Sequence, residues 1–235
     1  MTLIHRIRRT RSRLRPLFAL TLALTSTAAW TSPQQDIEKI NGSISAAAGQ
    51  TIGNMETVNG SIRIETGART RDAETVNGSI TVAERAQVGS LETVNGSIRV
   101  ARNVQVNGHV ETVNGSVFVD RVGAVRGDVT TVNGAIGLVD TDVSGGIETV
   151  NGDITVGTGS HVKGGITVEK PNSNWMPISI GKRKTPRIVI AANAIVEGPL
   201  VFERQVKLYV HQSARIGSVS GATAVRYSGD RAPAD

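Results

Sequence analysis

From residue 37 onward, apolar and polar positions alternate in short runs, and one run returns at nearly constant spacing. The string E-T-V-N-G-S-I, or a close variant, begins at residues 38, 56, 74, 92, 111, 130 and 148, so seven coils of 18 or 19 residues tile residues 38 to 166 without a gap. A fixed period of this length marks a repeat architecture. Aligned, the repeats give apolar columns. The third position reads Ile40, Val58, Val76, Val94, Val113, Val132 and Val150; the seventh reads Ile44, Ile62, Ile80, Ile98, Val117, Ile136 and Ile154. The ninth reads Ala46, Ile64, Val82, Val100, Val119, Leu138 and Val156, and the closing position runs from Met55 through Leu91 to Ile166. Between them lie columns of Thr, Asn, Ser and charged residues, the alternation of half-buried strands.

Two architectures use such a pattern. Asn-Gly is the strongest short hairpin signal, which raises an antiparallel meander. A two-residue turn at Asn59-Gly60 would place Val58 and Ile62 on opposite faces and split the apolar set. An extended path through Val58, Gly60, Ile62 and Ile64 keeps them on one face, with Gly60 as the small inward residue. The expected fold is therefore all-β: a single-domain parallel β-solenoid (β-helix) of about nine coils, with three short strands per coil and a triangular cross-section.

Three polar columns carry further expectations. Asn41, Asn59, Asn77, Asn95, Asn114, Asn133 and Asn151 would stack as an amide ladder along the rod. Glu38, Glu56, Glu74, Glu92, Glu111 and Glu148, interrupted by Thr130, would form an outward column at a wet edge. Thr57, Thr75, Thr93, Thr112, Thr131 and Thr149 form one regular column; a flat outward threonine face of the kind ice-binding solenoids present is an alternative, which the neighbouring asparagine column, in place of a second threonine column, disfavours.

The pattern changes after Ile166. Thr167 and Val168 open an eighth coil, but Glu169 to Pro177, containing Trp175, replaces the Asn-Gly corner before Ile178 and Ile180 resume the apolar columns. A second insertion, Gly181 to Pro186, carries Lys182, Arg183 and Lys184. Apolar alternation returns at Ile188, Ile190, Val196, Leu200 and Phe202, and residues 222–235 read as a flexible tail. Insertions in solenoids emerge as loops on one face and often bind. Trp175 with Lys182, Arg183, Lys184 and Arg187 is accordingly the candidate ligand site, suited to an anionic sugar or another anion. The plainer reading makes Trp175 a core cap and the cations a solvated turn.

Composition changes the picture at the amino terminus. Six arginines between Arg6 and Arg15, the apolar run Leu17 to Leu24 and small residues up to Ala29 follow the order of a secretory signal peptide, expected as residues 1–29 with a lead-in at 30–37. The formal charge of +6 equals those six arginines; past residue 29 there are 20 basic and 20 acidic side chains. A nucleic-acid binder would keep a basic stripe, so no nucleic-acid partner is expected. No run after residue 29 is long enough for a membrane span. The absence of cysteine excludes disulfides, a lipid-anchored amino terminus and thiolate metal sites. Charge is nonetheless uneven: residues 30–181 hold 11 basic and 16 acidic side chains, residues 182–235 hold 9 and 4. That asymmetry, with unpaired strand edges and no obvious polar cap at either end, favours head-to-tail homo-oligomers.

Chemistry is sparse. His109, His161 and His211 fall at different coil positions without metal-ligand spacing, so no metal, cofactor or catalytic residue is expected. Asp120, Asp128, Asp140, Asp142 and Asp153 supply the carboxylates a polysaccharide-cleaving β-helix would pair, though aspartate is also a turn residue.

The V-N-G-S-I and V-N-G-D-I units, over about residues 37 to 221, resemble the bacterial adhesin family of β-strand-repeat domains. The resemblance implies an exported, low-complexity β-solenoid. The stretch Ser213 to Ser218, S-A-R-I-G-S, resembles coils of the polymer-forming bactofilins, which are cytoplasmic. The expected function is a non-enzymatic, adhesin-like or scaffolding module of the periplasm, cell surface or exterior, offering a rigid surface to an envelope glycan or protein. The alternatives are an end-to-end filament former and a polysaccharide-active enzyme.

Overall fold

Met55–Asn59 and Ile62–Ile64 are separate strands joined by the Asn-Gly corner, and neither folds back on the other. Each pairs instead with its equivalent one coil away, Met55 with Ala73 and Ile62 with Ile80, in parallel register. The hairpin geometry is therefore not used. The computed structural model describes residues 34–121, 123–171 and 185–234, and contains no helix among them. Three parallel sheets result. The first has ten strands, from Ile37–Asn41 to Val219–Ser220; the second has ten, from Ile44–Ala46 to Ala224–Tyr227; the third has seven, from Gln87–Val88 to Arg215–Ile216. Bridges from Thr51 to Arg69 and from Arg69 to Gln87 continue the third sheet through the early coils. This is a β-solenoid of about nine turns. At about 4.8 Å per rung, the ten rungs of the first sheet extend roughly 43 Å.

The core is aliphatic. Ile62, Ile64, Ile80, Val82, Leu91, Ile98, Val100, Ile136, Leu138 and their equivalents are fully buried, so the seventh, ninth and closing columns line the interior as expected. The third column does not. Along Met55–Asn59 the inward residues are Met55 and Thr57, while Glu56 and Val58 point outward. Ile40 is 73% exposed and Val58, Val76, Val94, Val132 and Val150 are half-buried; only Val113 of the column is buried, and it stands outside the core cluster. Thr57, Thr75, Thr93, Thr112, Thr131 and Thr149 are buried instead, which removes the outward threonine face.

The physical reason lies at the corner. At Gly42, Gly60, Gly78, Gly96 and Gly115 the corner glycine's carbonyl accepts a hydrogen bond from the threonine of the following coil. Thr75 Oγ1 donates to Gly60 O (2.8 Å), Thr93 to Gly78 O (2.9 Å) and Thr112 to Gly96 O (2.9 Å). Valine offers no such donor, and an orphaned buried carbonyl costs more than a half-exposed valine. The corner then restores the alternation so that Ile62 and Ile64 turn inward.

Glycine is needed there for approach, not for packing. A Cβ on Gly78 would stand 2.0 Å from Gly60 O, and one on Gly96 1.9 Å from Gly78 O. The serine that follows adds a third stitch: Ser79 N donates to Ser61 Oγ (3.3 Å) and Ser97 N to Ser79 Oγ (3.2 Å). Every residue of T-V-N-G-S except the valine thus bonds or stacks on its neighbour in the adjoining coil.

After Ile166–Val168 the next rung of the second sheet is Arg187–Ile190, with Ile154 opposite Ile188 and Val156 opposite Ile190. The expected return at Ile178 and Ile180 lies outside the described residues, as does the expected signal peptide at 1–29. The stretch from residue 222 is not merely a tail: Ala224–Tyr227 forms the tenth strand of the second sheet.

Candidate functional site

Three features on the outer faces of the solenoid carry chemistry. The first is the amide ladder. Asn59 Nδ2 donates to Asn41 Oδ1 (3.1 Å), and the pattern repeats at 3.0 Å for Asn77, Asn95, Asn114, Asn133 and Asn151. The ladder has a direction, so Asn151 Oδ1 is left as its terminal acceptor. Nη1 of Arg204 donates to that oxygen and to Val150 O.

The second is the glutamate column on the first sheet. Glu38, Glu56, Glu74, Glu92 and Glu111 pair in register, one per coil. Burial, then Glu92, Glu56 and Asp72, push the Glu74 carboxyl up to about 7. Burial and neighbouring acids raise Glu56, Glu111 and Glu148 as well. His109 relieves the column: its Nε2 lies 2.8 Å from Glu92 Oε1, and that hydrogen bond raises the imidazole above its ordinary value. Its Nδ1 lies 3.2 Å from Ser90 Oγ, giving a serine–histidine–glutamate chain. The amides beside Ser90 are engaged, Ser90 N by Asp72 Oδ1 (2.6 Å) and Leu91 N by His109 O (2.9 Å), so neither is free to bind an oxyanion.

The third is the middle row of the second sheet's outer face. In register it reads Ser45, Arg63, Thr81, Arg99, Phe118, Gly137, Thr155, Val189, Tyr209 and Val225. The Arg99 guanidinium sits 5.8 Å from the Phe118 ring centroid, and Gly137, next in the row, places no side chain against that ring.

Of the candidate ligand residues, Trp175, Lys182, Arg183 and Lys184 lie outside the described residues. Arg187 is described and is occupied structurally. Its guanidinium stands 4.9 Å from the Tyr209 ring, Nη2 donates to Pro233 O (2.7 Å), and its amide donates to Asp153 Oδ1 (2.9 Å).

No family model, no curated protein and no solved structure matches the chain.

The aspartates considered for hydrolysis occupy separate places. Asp120 and Asp140 stand between the second and third sheets, Asp142 on the third, Asp128 at the corner into the first sheet and Asp153 at the corner leaving it. Asp128 and Asp153 accept backbone amides, from Gly146 (2.7 Å) and Arg187. His161 pairs with Glu197 (2.7 Å), while His211 contacts Ser213 and, edge-on, Tyr227. No group of three or more His, Asp or Glu among the described residues is placed to hold a metal ion. No helix among them is long and apolar enough to cross a membrane.

Sequence reasoning missed the Arg99–Phe118–Tyr209 row and Arg204. The row was visible as the position between the seventh and ninth columns. Arg204 was not, because the excursion after Ile166 hides its register with Asn151.

Proposed function

We propose that this chain is an exported, non-enzymatic β-solenoid of the bacterial envelope, adhesin-like or scaffolding, that presents its second-sheet outer face to a glycan. The observation that supports this reading best is the stacked Arg99–Phe118 pair in a row held in register by the coils beneath it. Aromatic rings and arginine are the residues enriched where surfaces recognise partners, because both give contact area at low ordering cost. Phe118 is half-buried in that row, and the guanidinium beside it suits an acidic substituent. Export rests on the basic, apolar and small-residue succession of residues 1–29.

Cosedimentation with isolated envelope glycans tests the reading. The wild-type chain should pellet with the glycan, and the Arg99→Ala, Phe118→Ala double variant should lose at least tenfold in affinity while keeping its β-sheet circular dichroism. Equal binding by the double variant, or none by the wild type, removes this assignment. Mass spectrometry of the protein recovered from its native host checks export separately, with Trp30 expected as the first residue.

A further inference from the structure

The first and last described coils of the solenoid break the repeat in the same way. In the first sheet Lys39 is in register with Thr57, so it occupies the inward column that the next six coils fill with threonine. Its side chain does not enter the core; Nζ turns over the end and donates to Ser43 O (2.9 Å). In the second sheet Arg226 is in register with Val210, the continuation of the buried column Ile64, Val82, Val100, Leu138, Val156 and Ile190. Its guanidinium also stays out, and Nη1 donates to His211 O (3.2 Å) and reaches Ala214 O (3.4 Å). Around it Ile216, Val219, Ala222 and Ala224 remain only partly buried against the core. A cation therefore stands in a core column at the first described coil and another at the last.

We infer that Lys39 and Arg226 close the solenoid at both ends, so that it is a finite rod and a second copy of the chain is refused as a further coil. Head-to-tail stacking would lay the opening coil of one copy on the final coil of another. That contact buries Arg226 beneath the partner's Ala46 column and buries Lys39 in the first-sheet core column. Both groups are positive, and neither column supplies a carboxylate, so each would lose water without gaining a partner. Inward-pointing charge at a sheet edge is a recognised way of blocking edge-to-edge growth. The acidic-to-basic gradient along the sequence is thus opposed locally by two like charges at the joint, and partners are left to the sides of the rod.

Light scattering with negative-stain microscopy on the full chain, across a wide range of concentration, tests this. The wild type should keep the mass of one chain throughout. Lys39→Thr restores the residue the following six coils carry, so its folding is secure; together with Arg226→Val it should give concentration-dependent masses of two chains or more and rods lengthened end to end. Arg63→Val, a charge loss on the side of the rod, should leave the mass unchanged. Wild-type filaments would overturn the inference. So would a double variant that stays single while retaining wild-type circular dichroism.

Discussion

Arg204 supplies to Asn151 Oδ1 the hydrogen bond that an eighth asparagine would have supplied. The ladder ends on a charged donor that satisfies its last acceptor and the adjoining Val150 carbonyl together. Arg204→Met keeps the stem and removes both bonds. Because the site is open to water, the expected loss is about 1 kcal/mol. Denaturant unfolding should show it, and hydrogen exchange should place the faster opening around residues 147–156.

The buried threonines separate by whether they find a carbonyl. Thr112→Val deletes the bond to Gly96 O and should cost about 1 kcal/mol. Thr149 is equally buried, but its hydroxyl has no partner among the described residues. Thr149→Val should therefore be neutral or stabilising, within about 0.5 kcal/mol of zero or on the favourable side. Matched unfolding curves of the two variants decide it; equal losses would mean that the hydroxyl bonds contribute nothing.

Two glycines should respond differently to alanine. At Gly78 the new methyl would meet Gly60 O at 2.0 Å, so adjoining coils must separate, at about 3 kcal/mol or more. Gly49 has φ +70° and nothing within 4 Å, so only backbone strain remains, about 1 kcal/mol. Melting temperatures of Gly78→Ala and Gly49→Ala should rank in that order.

Acid should stabilise this protein. Glu74 titrates near 4.5 when unfolded and near 7 in the fold, so the folded state holds its proton more tightly. The associated stability is complete below about 4.5 and is lost as pH rises to about 7. His109, raised above 6.5 by Glu92, acts in the same sense: its contribution is full below 6.5 and disappears above its folded value. Because Glu74 is only half-buried, solvent screening reduces its share to on the order of 1 kcal/mol. Glu74→Gln should flatten the dependence of melting temperature on pH between about 5 and 8 and raise stability at the alkaline end. An unchanged slope would discard the column as its source.

The sequence made the three-sheet solenoid legible because its repeat is nearly exact in length and its seventh, ninth and closing columns are uniformly aliphatic. It misled at Thr57 and Val58, where hydropathy alone ranks valine for the interior. The deciding fact was the direction of the Gly42 and Gly60 carbonyls, which no column of letters displays. Lys39 stood visibly in the threonine column, yet its role as a cap required knowing that the column faces inward. Arg226 and Arg204 were hidden because the excursion between Val168 and Arg187 breaks the count by which register is read.

The unpartnered Thr149 hydroxyl also has a mechanical meaning. Tension along the rod is carried through successive coil interfaces in series, so the weakest interface sets the force at which the rod first extends. Interfaces up to Val129–Asn133 are stitched by threonine, asparagine and, through Ala135, serine side chains. Beyond Ile154–Val156 the corner repeat stops, and the next strand of the second sheet is Arg187–Ile190. Pulled from its ends, the solenoid should part there, as a first short extension in single-molecule stretching. A fuse of this kind would let the carboxy-terminal coils yield while the seven regular coils still bear load.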